Sequence, residues 1–123
     1  MDFDNNQPIY LQIMADFKRK LTRGALQPGG AVAPVRELAL AYGVNPNTMQ
    51  KALSELERAG YLRSERTAGR AVTDDAALIE RLRDDERGAA VRRFVDEMRA
   101  LGVPRERLPE LLAKENTEIK EGK

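Results

Sequence analysis

Apolar residues return at helical spacing in several separate stretches of this chain, and the punctuation between them sets out its elements. The first stretch holds Ile9, Ile13, Met14, Phe17 and Leu21. Pro8 suits the opening turn of a helix there, and Gly24 closes it. Lys18, Arg19, Lys20 and Arg23 crowd its end, where cations meet the negative pole of the helix dipole. Residues 24–34, GALQPGGAVAP, cannot continue a helix, and Leu26 and Val32 are the expected anchors of this loop on the core. A second, short helix follows over Val35–Tyr42 with Val35, Leu38 and Ala39 inward, and Gly43 supplies the left-handed geometry that ends it. Asn45-Pro46 then pairs a good N-cap with a residue suited to the first helical position. In the third helix Met49, Ala52, Leu53 and Leu56 form one side, while Asn47, Gln50, Lys51, Ser54 and Arg58 form the other, and Gly60 ends it.

Residues 61–65 and 70–73 predict two short strands around a turn at Arg66-Thr67-Ala68-Gly69. Three helices followed by a hairpin is the winged helix-turn-helix order. From residue 75 the helical period resumes. Leu78, Leu82, Ala90, Val91, Phe94, Val95, Met98 and Leu101 make a stripe crossed by the polar DDERG at 84–88. Glycine costs roughly 1 kcal/mol against alanine inside a helix, so a break or kink is expected at Gly88. Gly102-Val103-Pro104 stops the run, and a last amphipathic helix carries Leu108, Leu111 and Leu112. The expected fold is mostly α with a small β-hairpin: a winged helix over residues 8–74, a short helical region over 75–116, and flexible termini at 1–7 and 117–123.

Composition narrows the function. With 41% hydrophobic and 33% charged residues in 123, the chain reads as one soluble globular domain with an appendage. Cysteine and histidine are absent, which excludes disulfides, the usual zinc sites, the thiol nucleophile and the commonest general base. No cofactor or metal is expected, and an enzyme would lack parts. No run has the length of a membrane span and the first residues lack signal-peptide order, so a cytoplasmic location without a membrane partner is expected. The net charge of +1 selects no partner by itself, because nucleic-acid binding needs clustered positive charge.

The exposed side of the third helix supplies the chemistry. Side chains that read base edges must donate and accept hydrogen bonds, and Asn47, Thr48, Gln50 and Lys51 do so within one and a half turns. No acid follows the turn until Glu55, as a phosphate-lined groove requires. A merely solvated helix face is the competing reading, and such a face carries glutamate as freely as lysine. Arg36, at the positive end of the second helix, suits a phosphate contact or equally a pair with Glu37 or a capping role. In the hairpin, Arg63, Arg66 and Arg70 surround Gly69, whose missing side chain allows close approach to DNA, although Glu65 sits among them. The C-terminal stripe is too thin to bury itself. It either folds back on the winged helix or pairs with another chain, and a symmetric dimer would let a small reader match a two-fold operator. Its expected dimerisation residues are Leu78, Leu82, Val91, Phe94, Val95, Met98, Leu101, Leu108, Leu111 and Leu112.

The stretches PIYLQIMADFKRKLTRGALQPGG, VRELALAYGVNPNTMQKALSELERAGYL and SERTAGRAVTDD resemble the winged-helix domain of GntR-type bacterial transcription regulators. The short helical segment with FVDEMRALGVPRERLPELL resembles the YtrA-like branch, in which a small dimerisation region replaces a large effector domain. The resemblance covers about residues 8–112. It implies a homodimeric repressor of double-stranded DNA with an inverted-repeat operator, a membrane-transporter operon as target class, and no identified small-molecule effector. It places Arg36, Asn45, Asn47, Thr48, Gln50, Lys51 and Gly69 on DNA-contacting positions; Arg66 and Arg70 join the expected DNA-binding set from the reading of the hairpin. Two departures stand out. The loop reads Val32-Ala33-Pro34-Val35-Arg36, with no hydroxyl to cap the second helix, and Ala71 stands where the return strand of the wing usually has an aromatic residue. A less firmly placed Arg36 and a less well packed wing are expected from these. A winged helix that binds protein and not DNA is the alternative of another class.

Overall fold

The computed structural model describes residues 1–66 and 69–121, the side chains of 116–121 excepted. Thr67 and Ala68 of the expected hairpin turn, and the last two residues, lie outside the described residues. In chain order the elements are α1 (Ile9–Thr22), β1 (Ala31–Val32), α2 (Val35–Tyr42), α3 (Pro46–Arg58), β2 (Leu62–Glu65), β3 (Gly69–Val72), α4 (Ala76–Ala100), a 3-10 turn (Arg105–Arg107) and α5 (Leu108–Glu121). The chain divides into two compact units, Met1–Arg83 and Asp84–Lys123.

In the first unit the apolar seam of each helix meets in one core. Ile13, Phe17 and Leu21 of α1 pack with Ala39 and Tyr42 of α2, with Met49, Ala52, Leu53 and Leu56 of α3, and with Leu62, Val72 and Ile79. Met49, Ala52 and Leu53 are fully buried, so the inner side of α3 matches its sequence pattern. Ile9 does not join them: it is exposed at the start of α1. Pro8 caps that helix instead of starting it. The expected ends of α2 and α3 hold, with Gly43 left-handed at φ 70° and the Asn45 side chain accepting from the Asn47 N–H.

An ionic lock joins α1 to α2. The Tyr42 hydroxyl donates to Asp16 Oδ2 at 2.6 Å and accepts from Lys20 Nζ at 3.0 Å, while Lys20 lies 3.2 Å from the same carboxylate. The Tyr42 ring stacks on Phe17 with centroids 5.9 Å apart. Burial works to raise the Asp16 pKa, but hydrogen bonds from Tyr42, Lys20 and Arg19 and the Lys20 charge outweigh it and hold it below the ordinary carboxylate value. Burial and the Asp16 hydrogen bond push the Tyr42 phenol up.

The hairpin gains a third strand that the loop sequence did not announce. β1 pairs antiparallel with β3, Ala31 opposite Ala71 and Val32 opposite Arg70, giving the order β1-β3-β2. Gly29 and Gly30 extend this contact by exchanging backbone hydrogen bonds with Val72. Ala71 is buried at this pairing, opposite Ala31. Residues 1–7 also differ from the loose segment expected. The Gln12 carboxamide binds the backbone of Asp4 in both directions and the Gln7 carbonyl, and Phe3 packs on the core.

The domain boundary moves as well. The wing delivers the chain straight back to the core, so the first turns of α4 complete the first unit. Ile79 is buried there, Leu82 packs on the core, and Leu78 lies against Gly60. Arg83 donates to the Thr22 carbonyl at the end of α1. Leu78 and Leu82, expected at a dimer face, are therefore engaged within the winged helix itself. The break expected at Gly88 does not occur: α4 is one helix from Ala76 to Ala100. Its 25 residues lend enough neighbouring hydrogen bonds to carry one glycine.

In the second unit, Leu108 is buried and Val95, Met98 and Leu111 are half-buried. Val91, Phe94, Leu101 and Leu112 remain exposed. An apolar groove of about 500 Å³ runs between Ala90, Val91, Phe94 and Val95 on one side and Leu108, Pro109 and Leu112 on the other. The helix of α5 continues to Glu121, through part of the tail expected to be flexible.

Candidate nucleic-acid interface

Burying Met49, Ala52, Leu53 and Leu56 turns the opposite side of α3 to solvent. Asn47, Gln50 and Lys51 are exposed there, Thr48 and Ser54 are half-buried, and Arg58 closes the row. Pro46 and the Asn45 cap fix where this helix begins, so the row starts at a defined turn. Asn45 Oδ1 is committed to the cap at 2.7 Å, which leaves only its NH2 group for an outside acceptor. Gln50 lies along the helix, with its NH2 donating to Ser54 Oγ at 3.2 Å. Such a bond is weak enough to exchange for a base edge.

Lys51 is held from outside its own helix. Its ammonium sits 4.2 Å from the centre of the Tyr10 ring, brought there by the packing of α1 on α3. Tyr10 was missed by the sequence reading. It stands 41 positions before Lys51 in the chain, and only the helix crossing joins them.

Arg36 is exposed in the first turn of α2 and forms no ion pair among the described residues, so the pair with Glu37 is not made. That helix has Pro34 at its N-cap position and no side-chain cap, as the altered loop implied. Its unsatisfied N–H groups and the Arg36 guanidinium therefore point to the same use, an anionic oxygen.

The wing arginines separate into three roles. Arg66 is exposed, with no acidic partner among the described residues. Arg63 is taken up by Glu65 at 2.8 Å and Asp74 at 3.1 Å, both of which raise its pKa further. Arg70 is half-buried, and its Nε donates to Glu57 Oε1 at 3.2 Å. Arg70 was expected to reach DNA, but this geometry turns it toward the end of α3. Gly69 holds φ at +77° with open space where a side chain would start. An L-residue would be strained in that backbone.

A recognition helix with an acid-free leading half, a second helix opening on arginine, and a wing ending in arginine and glycine define a winged-helix DNA-binding protein. Residues 9–72 match the model of the bacterial regulatory proteins of the gntR family. The chain is 36% identical over 108 residues to the uncharacterized HTH-type transcriptional regulator YhcF of Bacillus subtilis, covering 88% of this chain and 89% of that one. It is 33% identical over 125 residues to the HTH-type transcriptional repressor YtrA of the same organism, covering 100% of this chain and 95% of that one. Among solved structures, a GntR family transcriptional regulator from Listeria monocytogenes superposes with a TM-score of 0.76 at 34% identity, covering 91% of this chain and 98% of that one. The chain belongs to the GntR family, in its YtrA-like branch, and is a DNA-binding transcriptional regulator, not an enzyme.

Proposed function

We propose that the chain is a cytoplasmic repressor that binds an inverted-repeat operator as a homodimer, with a membrane-transporter operon as its target class. The observation that carries the reading is the row Asn47, Gln50 and Lys51, exposed over a fully buried seam. In this reading α3 enters the major groove, Asn47 and Gln50 meet base edges, and Lys51 and Arg36 meet phosphates. Thr48 and the Asn45 amide support them, while Arg66 and Gly69 approach the flanking minor groove. Repression is supported by the name of the relative YtrA. The dimer is supported by the apolar groove and by Val91, Phe94, Leu101 and Leu112, which the second unit leaves exposed. Val95, Met98, Leu108 and Leu111 support that surface from beneath. A two-fold dimer presents two α3 helices to two half-sites.

The test is a mobility shift on the duplex that the parent chain selects from a randomised pool, compared with the promoter of its own gene. A retarded band that tolerates unlabelled random DNA is the expected outcome, with Gln50→Ala altering the selected sequence. Failure to select any sequence would instead favour a winged helix that binds protein.

A further inference from the structure

Glu57 occupies the last turn of the recognition helix, and a single oxygen of its carboxylate binds both strands of the wing. Oε1 accepts from Ser64 Oγ on β2 at 2.8 Å and from Arg70 Nε on β3 at 3.2 Å. Ser64 and Arg70 are cross-strand partners, one pair from the end of the ladder at Glu65 and Gly69. The clasp therefore grips the hairpin next to the tip that carries Arg66 and Gly69. Arg70 is mostly covered there, its side chain 19% exposed. A charge-assisted bond to a covered guanidinium is directional, so the contact sets an angle as well as a distance.

We propose that Glu57 is a positioning residue for DNA binding: through Ser64 and Arg70 it fixes the wing against α3, so that helix and wing tip meet adjacent grooves together. The proposal rests on the DNA-binding reading of α3 and the wing, and it assigns Arg70 to the clasp in place of a DNA contact. A free hairpin would have to be ordered when DNA binds, whereas a clasped one arrives ordered. The sign of the effect is distinctive. Removing an acid near a phosphate-lined surface ordinarily strengthens binding by relieving repulsion. Here it releases the wing and weakens binding.

The experiment measures affinity and hydroxyl-radical footprints on the duplex selected by the parent chain, for Glu57→Ala, Arg70→Ala and the double variant, each with a thermal melt. Each single variant is expected to lose about tenfold in affinity and to lose protection at the flanks while keeping it in the half-sites. The double variant is expected to lose no more than Glu57→Ala alone, because that change already removes the contact with Arg70. Glu57→Gln, which keeps an acceptor oxygen in the same place, is expected to retain most of the affinity, and it serves if the alanine variants do not fold. Tighter binding by Glu57→Ala or Glu57→Gln, or a parent-like footprint from Glu57→Ala, would overturn the proposal. So would additive losses, or an Arg70→Ala effect that flattens the salt dependence with the footprint intact. If the parent chain selects no sequence, the DNA reading itself fails and the clasp has no such role.

Discussion

The Lys51 ammonium rests 4.2 Å above the ring of Tyr10, so α1 presents an aromatic face to the recognition helix of its own domain. A cation over a ring at an exposed site gains on the order of 0.5–1 kcal/mol. That is enough to bias the rotamer and too little to hold it against a phosphate. In the proposed DNA-binding reading, Tyr10 thus gathers a flexible side chain close to where a phosphate would meet it. Lys51→Ala is expected to weaken binding by similar factors on all DNA sequences and to lower the slope of log affinity against log salt by about one. Tyr10→Leu keeps the charge, and it is expected to cost affinity without changing that slope. A titration of both variants at several salt concentrations checks this, and a changed slope for Tyr10→Leu would refute the division of roles.

The lock between Asp16 and Tyr42 makes a pH prediction. The folded state holds the Asp16 carboxyl below its ordinary value, so the unfolded chain takes up the proton first as pH falls. The stabilisation is fully present above the ordinary carboxylate value of about 4 and disappears as pH drops through the lowered one. Asp16→Asn should therefore melt at a lower temperature than the parent at pH 7, with the gap closing as pH falls below the ordinary carboxylate value of about 4. Tyr42→Phe retains the stack on Phe17 but deletes the hydroxyl that bridges Asp16 and Lys20. A loss of about 1 kcal/mol at neutral pH is expected from the broken bond, read by urea unfolding. An undiminished gap for Asp16→Asn in acid would show that Asp16 does not act through its charge.

The helices of the winged domain were legible because burial has a period. Met49, Ala52, Leu53 and Leu56 had to face inward, and that placed Asn47, Gln50 and Lys51 outward without any knowledge of neighbours. The caps at Gly43 and Asn45 were equally local. What escaped the sequence depends on pairs far apart in the chain: Lys51 with Tyr10, Glu57 with Arg70, and Ala31 with Ala71. An arginine in a hairpin reads the same whether it faces DNA or a carboxylate. Only the crossing of β3 near the end of α3 turned Arg70 inward. The two-residue strand β1 carries no period at all, and it exists because β3 offers an open edge.

Gly88 illustrates a local signal overruled by its surroundings. The sequence expectation was a break, yet α4 runs through it. A Cβ built at this glycine meets only the end of the Arg92 side chain, at 3.3 Å, and that flexible, exposed group can move aside. Gly88→Ala is expected to stabilise α4 by roughly 0.5–1 kcal/mol through propensity alone. Circular dichroism during thermal melting is the measurement. A lower melting temperature would mean that Arg92 cannot yield or that the glycine serves a contact with another chain.

The dimer proposal is tested most cleanly at Phe94. Leu108 is buried within the second unit, so changing it would damage the fold of that unit, whereas Phe94 is 39% exposed and lines the open side of the groove. A charge placed there would have to be desolvated without a partner if a second copy covers it, at a cost of several kcal/mol. On an uncovered surface the same charge would cost little. The parent chain is expected to sediment as a dimer at tens of micromolar, and Phe94→Asp as a monomer with unchanged helical content. Operator affinity should fall with the dimer, because each half-site must then be bound without its neighbour. If the parent itself sediments as a monomer, or Phe94→Asp remains a dimer of equal strength, Phe94 does not lie at the interface, and the two-fold reading of the operator loses its structural support.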